Sequence, residues 1–148
     1  MTDDQKYYLF LDEIQEIADF ENMSKYYVAD TGLLNSILNY RQVKPSHALE
    51  NIVFLELIRQ GYKVDAGEIK DYEVDFVCRN SRGIVYVQVA WSIDSEEKLA
   101  QELKSFESLR DNYPKVIISK DTLPVSDLGN GIRKINTVDF LLGNEVLN

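Results

Sequence analysis

The stretch that decides the fold is residues 73–91, EVDFVCRNSRGIVYVQVAW. Two runs rich in β-branched and aromatic residues flank Asn80-Ser81-Arg82-Gly83, whose composition is typical of a hairpin turn. Side chains alternate between the two faces of a strand, so Asp75 belongs to one face of the first run and Gln88 to one face of the second. If the two strands pair, these polar side chains converge on one surface.

The residues before this hairpin predict a helix and a further strand. Residues 48–60 are preceded by Ser46, a good N-cap, and followed by Gly61, a good C-terminal stop. Apolar residues cover most of the helix circumference, which predicts a buried helix. Residues 62–66 have strand character, and we expect the three strand segments 62–66, 73–79 and 84–91 to be antiparallel neighbours.

The residues after the hairpin predict a second helix and a central strand. A helix that begins within 92–95 carries an apolar stripe opposite a charged side that includes Glu102. Residues 115–119, KVIIS, form a short apolar run typical of a strand inside a sheet. A strand at 132–135 and a turn or helix at 138–142 follow. This order predicts an α/β fold of three layers, α/β/α, built on a mixed sheet with an αβββαβ core.

The composition excludes several classes of protein. The 148 residues, 45% of them hydrophobic, suffice for a domain with a real core. No apolar stretch approaches the roughly 20 residues of a membrane span, so we expect no membrane association of that kind. Cys78 is the one cysteine, which excludes an internal disulfide framework. We expect no secretory leader either, and a cytoplasmic location.

The charge balance bears on nucleic-acid binding. Sixteen Lys and Arg against 25 Asp and Glu give 16 − 25 = −9. A chain this acidic repels a phosphate backbone, so nucleic-acid binding would need a local basic patch. The densest basic stretch consists of Arg59, Lys63, Lys70, Arg79 and Arg82. These residues either line a nucleic-acid groove or are solvated loop charges.

Asp75 and Gln88 also suggest a metal site. The helix at 48–60 carries Glu50 near its N-terminal end and, packed beside the two strands, would bring a second carboxylate to the same point. Two carboxylates and an amide oxygen suit a hard cation such as Mg²⁺ or Mn²⁺. The alternative is structural. Glu50 is then favoured by the helix dipole, Asp75 lies on a solvated strand face, and Gln88 is a buried, hydrogen-bonded amide.

This order of motifs resembles the restriction-endonuclease-like superfamily, in which the motif Glu…Asp…(Glu/Gln)-x-Lys lies on an αβββαβ core. More narrowly, residues 25–34, KYYVADTGLL, and 49–57, LENIVFLEL, resemble the C-terminal domain of unknown function of prokaryotic AAA-type ATPases. The resemblance covers residues 24–142. It implies that Glu50, Asp75 and Gln88 would be the metal ligands.

The resemblance also implies a defect. The lysine that positions or activates water in these nucleases would fall at Ala90, and a methyl group cannot do this. We therefore expect a degenerate, non-catalytic nuclease-like accessory domain that makes protein contacts or weak nucleic-acid contacts. The alternative is a metal-dependent DNA nuclease with a relocated lysine, for which Lys63, Lys70 and Lys98 are the candidates.

Residues 7–15, YYLFLDEIQ, resemble the Walker B strand of the same ATPases. The resemblance implies that Asp12 would hold Mg²⁺ through water and that Glu13 would orient the attacking water. No GxxxxGK[ST] loop occurs in the sequence, so we expect no ATP binding through this site. We interpret the chain as an internally deleted relative of the ATPases that keeps the accessory domain.

We expect the segment 1–23 to be distinct from the domain at 24–148. A helix over residues 4–18 is favoured, because a Walker B strand at 7–11 would lack the neighbours that normally satisfy its backbone; the strand remains the alternative. The helix would present an apolar face to the domain, to a protein partner or to a second copy of the chain. That face consists of Tyr7, Phe10, Leu11, Ile14 and Ile17.

Overall fold

A computed structural model describes residue 27 and residues 44–66, 74–121 and 126–147. The chain divides into two compact units, Met1–Gln42 and Val43–Asn148, and the fold described below is that of the second unit. The predictions for the Walker B-like segment, Asp12, Glu13 and the boundary at residue 24 lie outside the described residues, as does that for Lys70.

The described part of the second unit contains a mixed sheet and three helices. The strands are β1 (Lys63–Ala66), β2 (Phe76–Asn80), β3 (Gly83–Ala90), β4 (Lys115–Ser119), β5 (Ser126–Asp127) and β6 (Ile132–Asn136). The helices are α1 (Pro45–Arg59), α2 (Glu96–Lys104) and α3 (Thr137–Leu141). These strands join in the order β1-β2-β3-β4-β6-β5.

The sheet combines an antiparallel and a parallel half. β1, β2 and β3 pair antiparallel, whereas β3, β4 and β6 pair parallel. The two-residue β5 pairs antiparallel with β6 and has no counterpart in the sequence prediction. The predicted α/β class, mixed sheet and three antiparallel neighbours are confirmed.

The hairpin forms where its turn residues predict it. Asn80 is the register partner of Gly83, so Ser81 and Arg82 make a two-residue loop. The Arg82 backbone N–H donates to Oδ1 of Asn80 at 2.8 Å, which holds the turn. The predicted start of the second strand was too early, because β2 begins at Phe76 and Asp75 precedes it.

α1 begins earlier and is less buried than the sequence predicts. Pro45 occupies the first turn and Lys44 is the N-cap, so the predicted cap at Ser46 is wrong. Proline suits the first turn of a helix because the backbone N–H that it lacks would have no partner within the helix there. Ile52 and Ile58 are 40% and 43% exposed, so the helix that the sequence predicts to be buried is buried on only part of its circumference.

The end of α1 matches its prediction. Gly61 adopts a φ of +84°, the left-handed conformation that a glycine tolerates without strain. Its N–H donates to the Ile58 carbonyl at 2.9 Å, and the Tyr62 N–H donates to the Leu57 carbonyl at 3.1 Å. These two bonds make a Schellman motif that satisfies the last carbonyls of the helix.

The helices cover opposite faces of the sheet. The Phe54 ring of α1 lies 5.9 Å from the Phe76 ring of β2. On the other face, Leu99 and Leu103 of α2 pack against a buried cluster that contains Val77, the residue after Phe76. Neighbouring strand residues point to opposite faces, so the sheet lies between α1 and α2 as a middle layer. α3 packs against α1 and against β4 and β6.

β4 lies in the interior of the sheet, as its apolar run predicts. Val116, Ile117 and Ile118 have no exposed surface. α2 is capped by Ser95, whose hydroxyl accepts the Lys98 N–H at 3.2 Å. Across residues 44–66, 74–121 and 126–147, no helix has the length and apolar character needed to cross a bilayer.

Candidate functional site

Asp75 lies just before β2 and is bonded to β3. Its Oδ2 accepts the Val89 backbone N–H at 2.9 Å, and its own N–H donates to Oε1 of Gln88 at 3.3 Å. The register of the hairpin, with Phe76 opposite Val87, brings these residues together. Asp75 is only 9% exposed. The predicted convergence of Asp75 and Gln88 is therefore confirmed.

The third member of this cluster is Glu102, which sequence reasoning assigned to the charged outer side of α2. That assignment is wrong, because Nε2 of Gln88 donates to Oε2 of Glu102 at 3.1 Å and the side chain is half-buried. A signal was present in the sequence. At about 100° per residue, Glu102 lies roughly 60° from Leu99 around the helix and beside Leu103, at the edge of the apolar stripe.

The environment of Glu102 favours its neutral form. Burial raises the pKa of the Glu102 carboxyl above its usual value, and the nearby charge of Asp75 raises it further, against the hydrogen bond from Gln88. The Gln88 amide thus accepts from the Asp75 backbone and donates to the Glu102 carboxylate. We call Asp75, Gln88 and Glu102 the acid cluster.

Ala90, at the position of the missing lysine, lies in an apolar environment. It is 4% exposed and belongs to a buried cluster on the α2 face of the sheet. The members of that cluster are Val74, Val77, Tyr86, Ala90, Ile93, Phe106, Leu109 and Ile117. An ammonium group at this position would need to be desolvated among hydrocarbon side chains, at a large free-energy cost.

Glu50 lies on a different layer from the acid cluster. It is half-buried in α1, the helix whose Phe54 packs on Phe76. Gln88 belongs with Tyr86 and Ala90 to the opposite face, which α2 covers. Nε2 of Gln88 contacts the Glu102 carboxylate, and the convergence of Glu50 with Asp75 stays a prediction.

The cluster does not form a closed cation cage. Within the described ranges there is no group of three or more His, Cys, Asp or Glu side chains placed to hold a metal ion. Oδ2 of Asp75 and Oε1 of Gln88 each already accept a backbone N–H. A hard cation such as Mg²⁺ prefers six oxygen ligands, so these side chains would leave most positions to water.

Among the described residues, the lysines considered as a replacement for the missing base are engaged elsewhere or exposed. Nζ of Lys98 pairs with the Asp94 carboxylate at 2.9 Å, and Lys63 is exposed on the edge strand β1. Lys115 is buried, but its Nζ donates to the carbonyls of Asp111 and Tyr113 at 3.1 and 3.2 Å.

One further lysine, Lys134, lies on the same face of the sheet as the acid cluster. In the register, Gln88 is opposite Ile117 of β4, and Ile117 is opposite Lys134 of β6. Nζ of Lys134 pairs with Oδ2 of Asp121 at 3.2 Å, and that carboxylate also accepts the Ile93 N–H at 2.7 Å. The side chain of Lys134 is 6% exposed, so this ammonium is held in a buried ion pair.

The electrostatic balance at Asp121 differs from that at Glu102. Burial acts to raise the pKa of Asp121, but the Ile93 N–H and the Lys134 ammonium outweigh it and hold that pKa below its usual value. Asp121 is therefore a compensated carboxylate. We call Asp121 and Lys134 the ion-pair cluster.

Comparison with known proteins shows a similarity to a relative that has no assigned role. An uncharacterized protein from Haemophilus influenzae is 36% identical over 119 residues, which make up 80% of this chain. The chain spans 29% of the length of that relative. No family model matches the sequence.

Proposed function

We propose that this chain is a non-catalytic, nuclease-like accessory domain that acts through protein contacts or weak nucleic-acid contacts. The observation that carries the proposal is the burial of Ala90 in an apolar cluster two residues after Gln88. Nuclease chemistry of the restriction-endonuclease-like kind needs a cation there to position or activate water. Here that volume belongs to the hydrophobic core.

The acid cluster supports the same conclusion. Gln88 is neutral, so it neutralises less of a metal's charge than a glutamate would. Its amide group is used at both ends, since Oε1 accepts the Asp75 N–H and Nε2 donates to Glu102. Such an amide joins a strand to a helix, which is a structural role.

The accessory role rests on the resemblance to the C-terminal domain of AAA-type ATPases. The matched segment is 29% of the Haemophilus protein, which leaves more than two thirds of that relative unmatched, enough for another domain.

We also propose that the chain is cytoplasmic. Its one cysteine is buried, and burial raises the pKa of the Cys78 thiol to about 12, which keeps it unreactive.

Nuclease activity is tested directly. We expect the purified chain to leave supercoiled plasmid and a four-way DNA junction intact in Mg²⁺ or Mn²⁺. We also expect neither metal to raise its melting temperature, because a metal that binds only the folded state would do so. A known nuclease of this superfamily under the same conditions controls for the assay.

The matched variant is Asp75→Asn, which keeps the shape and the acceptor for the Val89 N–H but removes the charge. Mn²⁺-dependent cleavage by the wild-type chain that Asp75→Asn abolishes would overturn the proposal. It would instead favour the alternative, a metal-dependent nuclease with a relocated catalytic lysine.

A further inference from the structure

A cleft lies at the hairpin end of β3, away from the acid cluster. It has a volume of about 650 Å³ and is bounded by the end of α1, the β2–β3 turn and residues 143–146. This volume falls within the usual range for small-molecule sites. Gln88 lies five residues along β3 from Gly83, so the cleft and the acid cluster are separated by roughly 17 Å.

Two arginines from different elements line this cleft. Arg59, in the last turn of α1, donates through Nε and one Nη to the two oxygens of Glu56, both at 2.7 Å. A guanidinium has five N–H donors, so three remain. Arg82, from the turn, is exposed, and its guanidinium has no hydrogen bond or ion pair with any residue that the structure describes.

The acidic residue at the cleft is already compensated. Glu145 lines the cleft, but its Oε2 accepts from the Arg133 guanidinium at 3.0 Å. Glu56 is compensated by Arg59 in the same way. The charge of Arg82 is therefore left over, in a chain whose net charge is −9.

Tyr62 also lines the cleft, and Arg82 lies close enough to act on its phenol. Tyr62 is buried, and burial raises the pKa of its phenol, whereas Arg82 and a hydrogen bond with Asn80 lower it. The end of α1 carries partial negative charge, which works against an anion. Its last carbonyls, however, already accept the N–H groups of Gln60, Gly61 and Tyr62.

We propose that this cleft binds a small phosphorylated molecule, with the Arg82 guanidinium as its main contact and the outer edge of Arg59 as its second. Guanidinium groups match the geometry of phosphate oxygens and bind them with paired, charge-assisted hydrogen bonds. The Ser81 hydroxyl adds a donor beside Arg82. Of the basic stretch of the sequence, Arg59 and Arg82 line the cleft, whereas Arg79 is paired with Asp65 on the neighbouring strand.

Isothermal titration calorimetry with pyrophosphate and with AMP tests the proposal. The informative variant is Arg82→Gln, because Arg82 is exposed in a turn and its loss leaves no buried partner unpaired. Arg59→Gln is less suitable, since it would strip the buried Glu56 of its cation. The control is Arg110→Gln, which removes an exposed arginine outside the cleft.

We expect saturable binding of at least one probe, weakened about tenfold or more by Arg82→Gln and unchanged by Arg110→Gln. Tighter binding of AMP than of pyrophosphate would identify the ligand as a nucleotide, and the reverse order would identify a phosphate group alone. Equal binding by Arg82→Gln and wild type, or no saturable binding, would overturn the proposal.

A 5′-phosphorylated oligonucleotide that binds more tightly than both probes and depends on Arg82 would also overturn the assignment to a small molecule. The proposal does not depend on the nuclease-like ancestry. The DNA-cleavage assay tests the function proposed for the acid cluster, and the titration tests ligand binding in the cleft. Either proposal can therefore be overturned while the other is supported.

Discussion

Glu102 and Asp121 are carboxylates beside the same face of the sheet, and the groups around them differ in charge. Asp121 has an ammonium partner, Lys134, and a backbone N–H from Ile93. Glu102 has a neutral amide from Gln88 and a second acid, Asp75, nearby. The pKa of Asp121 is lowered, whereas burial and the charge of Asp75 raise that of Glu102.

The separation of the two clusters explains why the buried ammonium of Lys134 does not compensate the acid cluster. Gln88 and Lys134 occupy one cross-strand row, two strands apart, with Ile117 between them. Two strand spacings are about 10 Å, and Ile117 is fully buried. The ammonium of Lys134 pairs with Asp121 instead.

Breaking the ion-pair cluster should have the largest effect. We expect Lys134→Met to lower the free energy of unfolding by about 3 kcal/mol, because it leaves Asp121 partly buried without its cation. Urea denaturation measures this change. The matched control is Lys63→Met on the exposed edge strand, for which we expect a change within about 0.5 kcal/mol. Equal effects of the two variants would show that the buried pair contributes nothing.

Breaking the acid cluster should have a smaller effect. Asp75→Ala removes the acceptor of the Val89 N–H and leaves that donor unpaired in the interior, which costs about 2 kcal/mol. The loss of a repelling charge near Glu102 offsets part of this. Asp75→Asn keeps an acceptor, so we expect it to cost less than Asp75→Ala in the same urea titration. If the alanine variant is the more stable of the two, the Val89 bond does not stabilise the fold.

The strands were largely predictable because their signals are local. Residues 115–119 form one apolar run, and the turn at Asn80 fixes the hairpin register. Strand alternation then placed Asp75 and Gln88 together. The prediction erred by several residues at the start of β2, where Asp75 accepts a bond from Val89 instead of extending the strand.

The partners of these residues were not predictable in the same way. Glu102 reaches Gln88 only because α2 crosses back over the sheet, and Asp121 reaches Lys134 only through the pairing of β4 with β6. Both contacts depend on how distant elements pack. Ala90 shows the converse. Its identity was readable from the sequence, but only the structure shows that it lies in a buried apolar cluster with Ile93 and Phe106.

The smallest effect concerns the pH dependence of stability. Because the pKa of Glu102 is raised in the folded state, the folded chain binds a proton at this carboxyl more tightly than the unfolded chain does. The resulting stabilisation of the fold is fully present below the ordinary pKa of 4.5 and is lost as the pH rises through the folded-state pKa. Glu102→Gln is neutral throughout, so its stability relative to wild type should increase between about pH 4 and pH 7, by no more than about 1 kcal/mol. Glu97→Gln, on the exposed side of α2, should show no such trend. A relative stability of Glu102→Gln that falls over this range would mean that the carboxylate is compensated after all, as Asp121 is, and the contrast between the two clusters would fail.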